Sequence, residues 1–427
     1  MNMRRKIWRL LPVAISIALV ASVAQAATPP KVGSSCTKAG QTVTASGKRY
    51  TCIKSGKKLL WNKGVAIAVP TAKPTATPTA TSTEGNLTFQ TEMSPTTVAA
   101  YVDFVKLYNS RLSGEIPNIE YFVEPHMDKA LEAQVKDSIN AAAKFFAKER
   151  PVNIPTRIWI AMSADFQFIY DGVSKTMPAA QLEGEWLDHD LARAKVDEGF
   201  QGGGAPGDAK DGTAVLFYNA SKFSNWGDSF WSQGLAHEYV HVVQRYEMGN
   251  TMAQMLCWVR EGNANYYGWM LAGRNSQAVY RNYWLQAISR FPAMGNLPDY
   301  ESKPASYWTN LYVQNEAITT TQCDPWINYM MGAMAFQYLA GNYGNQKIQD
   351  FYLELKDSWI GVCPGPVNSN NNPCPGWKNA FKKVFGISAE AAYPKFGQYV
   401  ADEIKWAKGK KVYWNQEALK IAPVPKE

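Results

Sequence analysis

The spacing of apolar positions predicts two kinds of element along the larger part of the chain. Residues 96–112 and 128–150 repeat apolar side chains every three or four positions, which is typical of helices with one buried face. Residues 156–163 and 213–221 are short runs rich in β-branched and aromatic side chains, which predicts strands. From about Asp228 the pattern is almost entirely helical. Strands followed by a long run of helices predict an α+β fold rather than a regular alternation of strand and helix.

The start of the chain has a different pattern. Basic residues precede an apolar core, and Ala24-Gln25-Ala26 supplies small side chains at a cleavage position, so residues 1–26 are predicted to be a secretory signal peptide. An uncleaved membrane anchor is the alternative interpretation. The protein is therefore predicted to be exported, either secreted or associated with the cell surface.

Three segments are predicted after the signal. Residues 31–64 alternate turn-forming residues with short β-prone runs, which indicates a small β module that needs a disulfide for stability. Residues 65–86 are rich in Pro, Thr and Ala and form a semi-rigid linker. Residues 87–427 have the composition of a globular domain.

The net charge of +8 is unevenly distributed among these segments. Residues 27–64 carry eight basic and no acidic residues, whereas residues 87–427 have a net charge of −4. A mildly acidic main domain gives no support for binding of nucleic acid. The basic module is a candidate site for an anionic polymer of the cell wall or envelope, and a simple solubilising segment is the alternative.

Six cysteines in an exported protein predict disulfides, because oxidising compartments favour them. The candidate pairs are Cys36 with Cys52, Cys363 with Cys374, and Cys257 with Cys323. The last pair forms only if the fold brings its members together. The absence of a Cys-x-x-Cys pair argues against a zinc site built from thiolates.

Two of the four histidines in the chain lie four residues apart, in the sequence His-Glu-x-x-His. On a helix, His237 and His241 share one face, so both imidazoles can reach a single metal ion. Glu238 then lies beside the ion and not on it, which suits a carboxylate that takes a proton from water. Apolar neighbours predict that this helix is buried. A core hydrogen-bond network is the alternative interpretation of the three polar residues.

A second helical segment, residues 257–270, supplies a candidate third ligand, Glu261. Here the chain resembles the gluzincin metallopeptidases, the clan of thermolysin-like enzymes and of the thermolysin-like domains of zinc aminopeptidases. Their motif Trp-x-x-Glu-Gly-x-Ala-x-Tyr is matched at Trp258, Glu261, Gly262, Ala264 and Tyr266. The resemblance covers roughly residues 210–405.

The resemblance implies a thermolysin-like fold, a small mixed sheet followed by a helical subdomain, and one Zn²⁺ per chain. It implies that His237, His241 and Glu261 are zinc ligands and that Glu238 is the general base. Asn265 stands where some relatives carry an acidic partner for a histidine ligand, and here it is an amide.

A further resemblance concerns residues 328–344, which are similar to the Tyr-x-x-Gly-Ala helix of the aminopeptidases. It implies that the hydroxyl of Tyr329 donates to the oxyanion, and a core aromatic is the alternative. No Gly-x-Met-Glu-Asn sequence is present, and this disfavours an aminopeptidase. Residues 214–221 precede the zinc helix, where gluzincins have the edge strand that pairs with substrate. His126 and His189 have no spacing that links them to the metal and are predicted to lie on the surface.

These observations predict a secreted bacterial zinc peptidase that acts on peptides or proteins, as an endopeptidase rather than an aminopeptidase. The alternative is a cell-surface binding protein whose metallopeptidase-like domain is not catalytic. A carbohydrate hydrolase is a third class, which would need two carboxylates across a cleft.

Overall fold

The structure is a computed structural model. It describes residues 31–39, 41–45, 48–56, 58–63, 65–66, 92–112, 115–116, 118–147, 155–178, 186–196, 202–220, 230–248, 252, 255–289, 291, 297–317, 323, 325–359 and 376–410. The predicted signal peptide, most of the predicted linker and the pair Cys363 and Cys374 lie outside these ranges. The chain divides into two compact units, Met1–Ser82 and Thr83–Glu427.

The first unit is a small antiparallel sheet. Its strands are β1 (Thr42–Ala45), β2 (Lys48–Ser55), β3 (Lys58–Trp61) and β4 (Val65–Ala66). Strand β2 pairs with each of the other three. The predicted disulfide between Cys36 and Cys52 is confirmed, and Tyr50 and Cys52 are the buried apolar residues of this sheet among those described. So small an apolar core depends on its covalent cross-link.

The second unit is a four-stranded mixed sheet with a large set of helices. The strands are β5 (Ile119–Val123), β6 (Thr156–Ala161), β7 (Gly202–Asp208) and β8 (Ala214–Asn219). The helices are α1 (Pro95–Ser110), α2 (Lys129–Ala147), α3 (Phe166–Thr176), α4 (Trp186–Val196), α5 (Phe230–Met248), α6 (Cys257–Ala272), α7 (Gln277–Ser289), α8 (Ala305–Gln314), α9 (Gly332–Tyr343), α10 (Asn345–Trp359), α11 (Gly376–Phe385) and α12 (Ala389–Ala407). The predicted α+β class is confirmed.

The strand order is β5-β6-β8-β7, with β7 antiparallel to the others at the edge. The expectation that residues 214–221 form the edge strand is therefore wrong, because β8 lies between β6 and β7. All six residues of β8 are buried, as is usual for an inner parallel strand covered on both faces. The edge strand is the glycine-rich segment Gly202–Asp208 instead.

Side chains of the inner strands alternate between two cores. On β8, Leu216 and Tyr218 point into the main core, where α5 and α6 pack. Val215 and Phe217 point into a smaller core with residues of α3 and α4. Because side chains on a strand alternate, the face of β8 that carries Leu216 and Tyr218 packs against α5, the helix with the His-Glu-x-x-His sequence.

Helix α6 passes very close to the beginning of α9, and glycines make the approach possible. A Cβ atom on Gly262 would lie 2.4 Å from the backbone carbon of Gly332. Any larger residue at Gly262 would push the two helices apart. Among the described residues, no helix is both long enough and apolar enough to cross a bilayer.

Candidate metal centre

Two neighbouring helices bring three metal-ligating side chains to one point. His237 and His241 lie one turn apart on α5, and Glu261 lies on α6. The Nε2 atoms of the two histidines are 3.0 Å apart, and Glu261 Oε2 is 3.1 Å from His241 Nε2 and 3.4 Å from His237 Nε2. All three residues are buried, with exposed fractions of 5%, 9% and 3%. This group has the composition and mutual distances needed to hold a metal ion.

The outer nitrogen of each ring faces an amide oxygen. Nδ1 of His237 lies 3.1 Å from Asn265 Oδ1, and Nδ1 of His241 lies 2.9 Å from Gln244 Oε1. Gln244 Nε2 donates to the backbone oxygen of Arg260, so the side-chain oxygen of Gln244 is the atom that faces the His241 ring. Since an amide oxygen only accepts, each Nδ1 carries the proton and each Nε2 presents a lone pair.

Three electron pairs therefore converge, two from imidazole nitrogens and one from a carboxylate oxygen. In a buried site this arrangement is repulsive unless a cation lies between the three atoms. Ligand bonds of about 2.0–2.1 Å in tetrahedral geometry place ligand atoms roughly 3.3 Å apart. The observed separations of 3.0 to 3.4 Å agree with that spacing. The donor set thus fits a small divalent cation.

Arg260 holds the other oxygen of the carboxylate. Its Nε and Nη2 lie 2.7 and 2.6 Å from Glu261 Oε1, and Nη2 also lies 3.4 Å from the sulfur of Cys323. When no cation is bound, a proton on the histidines takes its place beside Oε2: burial alone would raise the pKa of Glu261, but the charge of His241, hydrogen bonds from both histidines and the charge of Arg260 hold it well below its ordinary range. Glu261 is therefore ionised, with Oε1 bound by Arg260 and Oε2 turned to the histidines.

Replacement of Arg260 by glutamine is expected to weaken metal binding by about 10- to 100-fold, because Glu261 loses the partner that orients it. Competition with a fluorescent chelator measures this affinity. Arg245→Gln is the matched control, since Arg245 on α5 forms its ion pair with Asp208 of the edge strand. Equal affinities for the wild type and Arg260→Gln, at unchanged melting temperature, would contradict this role of Arg260.

Glu238 lies on α5 beside the edge strand. A Cβ atom on Gly203 would lie 3.0 Å from Glu238 Cγ and 2.5 Å from the ring of Tyr218, so the strand can approach only because residue 203 is glycine. Without a bound metal ion, burial raises the pKa of Glu238 to about 7. The nearby His237 ring opposes this shift, and the charge of Glu261 adds to it. A carboxyl group of this kind can both take up and release a proton near neutral pH.

Tyr329 lies against the same histidine. It belongs to a π-helical segment, Pro325–Met331, and its ring stacks on His237 with the centroids 5.5 Å apart and the planes 6° from parallel. Burial, the charges of Glu261 and Glu238, and a hydrogen bond to Glu261 raise its pKa well above the ordinary value. The phenol therefore keeps its proton and remains a donor beside the candidate metal ligands.

The disulfide between Cys257 and Cys323 is confirmed, with the Cα atoms 5.3 Å apart. It ties the first residue of α6 to the chain just before the π-helical segment. The two elements that carry Glu261 and Tyr329 are thus covalently joined close to the site. Disulfides of this kind are typical of proteins that mature in an oxidising compartment.

The other two histidines are on the surface, as predicted. The side chain of His126 is 89% exposed and lies 2.7 Å from Glu124, and that of His189 is 69% exposed beside Asp190. Neither belongs to the group of metal-ligating side chains.

The chain matches no protein-family model. No curated protein and no solved structure is significantly similar to it. The arguments for function therefore come from the site itself.

Proposed function

We propose that the chain is an exported, zinc-dependent peptidase of the gluzincin type, with a thermolysin-like catalytic domain and endopeptidase activity. The observation that carries the proposal is the convergence of His237, His241 and Glu261 at 3.0 to 3.4 Å, with Glu238 beside them. A set of three protein ligands, two imidazoles and one carboxylate, is the pattern of catalytic zinc, in which water or substrate takes the fourth position.

The zinc ion, when bound, supplies Lewis acidity that polarises the scissile carbonyl and acidifies the attacking water. The residues that would hold it are His237, His241 and Glu261. Asn265 and Gln244 keep the two imidazoles in the tautomer that leaves Nε2 available.

Glu238 is the general base of the proposed reaction. Its carboxylate takes a proton from the attacking water and later delivers that proton to the nitrogen of the leaving amine. Its raised pKa supports this double role, because the group must be a base in one step and an acid in the next.

Tyr329 would donate a hydrogen bond to the oxyanion. Tyr329→Phe is expected to lower kcat by about 10²-fold with little change in KM, because the lost donor acts mainly in the transition state. Steady-state kinetics on a fluorogenic peptide measure both constants. Tyr307→Phe, on a partly buried residue of α8, is the control. A kcat unchanged by Tyr329→Phe would mean that Tyr329 is a core aromatic and not an oxyanion donor.

The edge strand supports an endopeptidase. Strand β7 ends the sheet, so its outer side has no partner strand among the described elements, and Gly203 brings it next to Glu238. An extended peptide can add to such an edge through main-chain hydrogen bonds, without an anchor for a free amino end.

The alternative function is a cell-surface binding protein with a non-catalytic metal domain. The basic first unit favours a binding role. Glu238 argues against this alternative, because a purely structural metal site has no need of a base beside its ligands.

Hydrolysis of casein by the purified chain tests the proposal. We expect hydrolysis to stop on treatment with 1,10-phenanthroline and to return when Zn²⁺ is added, but not when Mg²⁺ is added. Hydrolysis that persists through chelation would contradict a metal mechanism. A zinc-loaded chain that cleaves no peptide would favour the alternative.

A further inference from the structure

The first unit carries a positive charge that nothing within the unit neutralises. The first acidic residue of the whole chain is Glu84, so Met1–Ser82 contains no side-chain carboxylate. The lysine surface is the set of exposed, described lysines of the small sheet and its turns: Lys31, Lys38, Lys48, Lys54, Lys58 and Lys63.

The charged residues of the second unit are arranged differently. Many of its lysines lie within 4 Å of a carboxylate, as in the pairs Lys129 with Glu132, Lys383 with Glu354 and Lys405 with Asp402. The first unit has no acid with which to form such pairs. Its like charges repel each other across a sheet held by a very small core and one disulfide, so they reduce its stability. The stability of the unit therefore does not explain why so many lysines are present.

The lysine surface extends over both faces of the sheet. Lys48 and Lys54 are six residues apart on β2, so they share a face, whereas Lys58 pairs with Ser55 on the opposite face. A flat surface such as a membrane can contact only one of these faces. A long, flexible polyanion can follow the charges around the unit.

The kinds of side chain also limit the ligand. Seven of the eight basic residues in 27–64 are lysines, which bind phosphate as point charges without a fixed geometry. Tyr50 is buried and Trp61 is half-buried, so the described part of the sheet has no fully exposed ring for base stacking, on which proteins that bind single-stranded nucleic acid depend. The surface is suited to repeated phosphate charges on a polymer without bases.

From this arrangement we infer that the lysine surface binds a linear polymer of phosphate-linked units and so holds the exported protein at an anionic envelope. The inference does not depend on the peptidase activity, since the second unit takes no part in it.

Binding of the full chain to long-chain inorganic polyphosphate tests the inference. In a variant with Lys48, Lys54, Lys58 and Lys63 all changed to glutamine, we expect affinity at 50 mM salt to fall at least tenfold. The slope of log affinity against log salt is expected to decrease by about 3, since each of the four lost contacts removes roughly 0.7 on a single-chain polyanion. The corresponding Lys→Arg variant is expected to keep the affinity, which separates loss of charge from misfolding.

The matched control changes four exposed lysines of the second unit to glutamine: Lys175, Lys356, Lys382 and Lys395. It alters the net charge equally and is expected to leave binding unchanged. Equal losses in the two glutamine variants, or no binding of the wild type at 50 mM salt, would overturn the inference. Tighter binding to double-stranded DNA or to vesicles with phosphatidylglycerol than to polyphosphate would overturn it as well.

Discussion

Peptide hydrolysis is expected to fall by about 10³-fold when Glu238 is replaced by glutamine. The substitution keeps the size of the side chain but removes the carboxylate that is proposed to take a proton from water and return it to the amine. Zinc is not lost, because Glu238 is not among the three converging donors. Initial rates on a fluorogenic peptide, with zinc content measured in the same samples, give both quantities.

A carboxylate paired with two lysines provides the control for this substitution. Glu132→Gln on α2 removes a partner of Lys129 and Lys136 far along the sequence from the site, and is expected to leave the rate unchanged. If Glu238→Gln kept more than a tenth of the wild-type rate with zinc bound, Glu238 would not be the general base. If the Glu238→Gln variant lost zinc, Glu238 would itself be a zinc ligand, and its assignment as a residue beside the metal would be wrong.

Removal of a ligand is expected to have the second large effect. His241→Ala and Glu261→Ala should each weaken zinc binding by more than about 100-fold, since even the loss of an outer partner costs 10- to 100-fold. The purified variants should then contain close to no zinc after dialysis, against one ion in the wild type. Elemental analysis by mass spectrometry measures the ratio.

The exposed histidines supply the control for ligand removal. His126→Ala and His189→Ala remove imidazoles that lie on the surface, and their zinc content should equal that of the wild type. Zinc retained by Glu261→Ala would mean that the third ligand is another residue. Zinc lost from His189→Ala would mean that a second site contributes to the measured ratio.

Parts of the site follow directly from the sequence. Helical geometry places residues four apart on one face, so the pairing of His237 with His241 needs no further information. The position of Glu261 follows only from the resemblance of its flanking residues to a known motif, because spacing alone does not say how two helices pack. The pair Cys257 and Cys323 depends on the same packing and was one of three candidates.

Other parts could not be predicted, for identifiable reasons. Arg260 immediately precedes Glu261 in the sequence, and adjacent residues on a helix point in different directions, so the sequence predicts no contact between them. Strand β7 is Gly-Gly-Gly-Ala-Pro-Gly-Asp, a sequence with poor strand propensity that tertiary pairing with β8 overrides. The π-helical turn at Tyr329 has the same apolar pattern as an α-helix and is not distinguishable by periodicity.

The central claim is that His237, His241 and Glu261 share one zinc ion. Diffraction data from crystals of the zinc-loaded chain, collected on both sides of the zinc absorption edge, test it most directly. We predict one strong anomalous peak at about 2.0–2.2 Å from Nε2 of both histidines and from Oε2 of Glu261. A peak at any other place, or no peak between these three atoms, would contradict the claim.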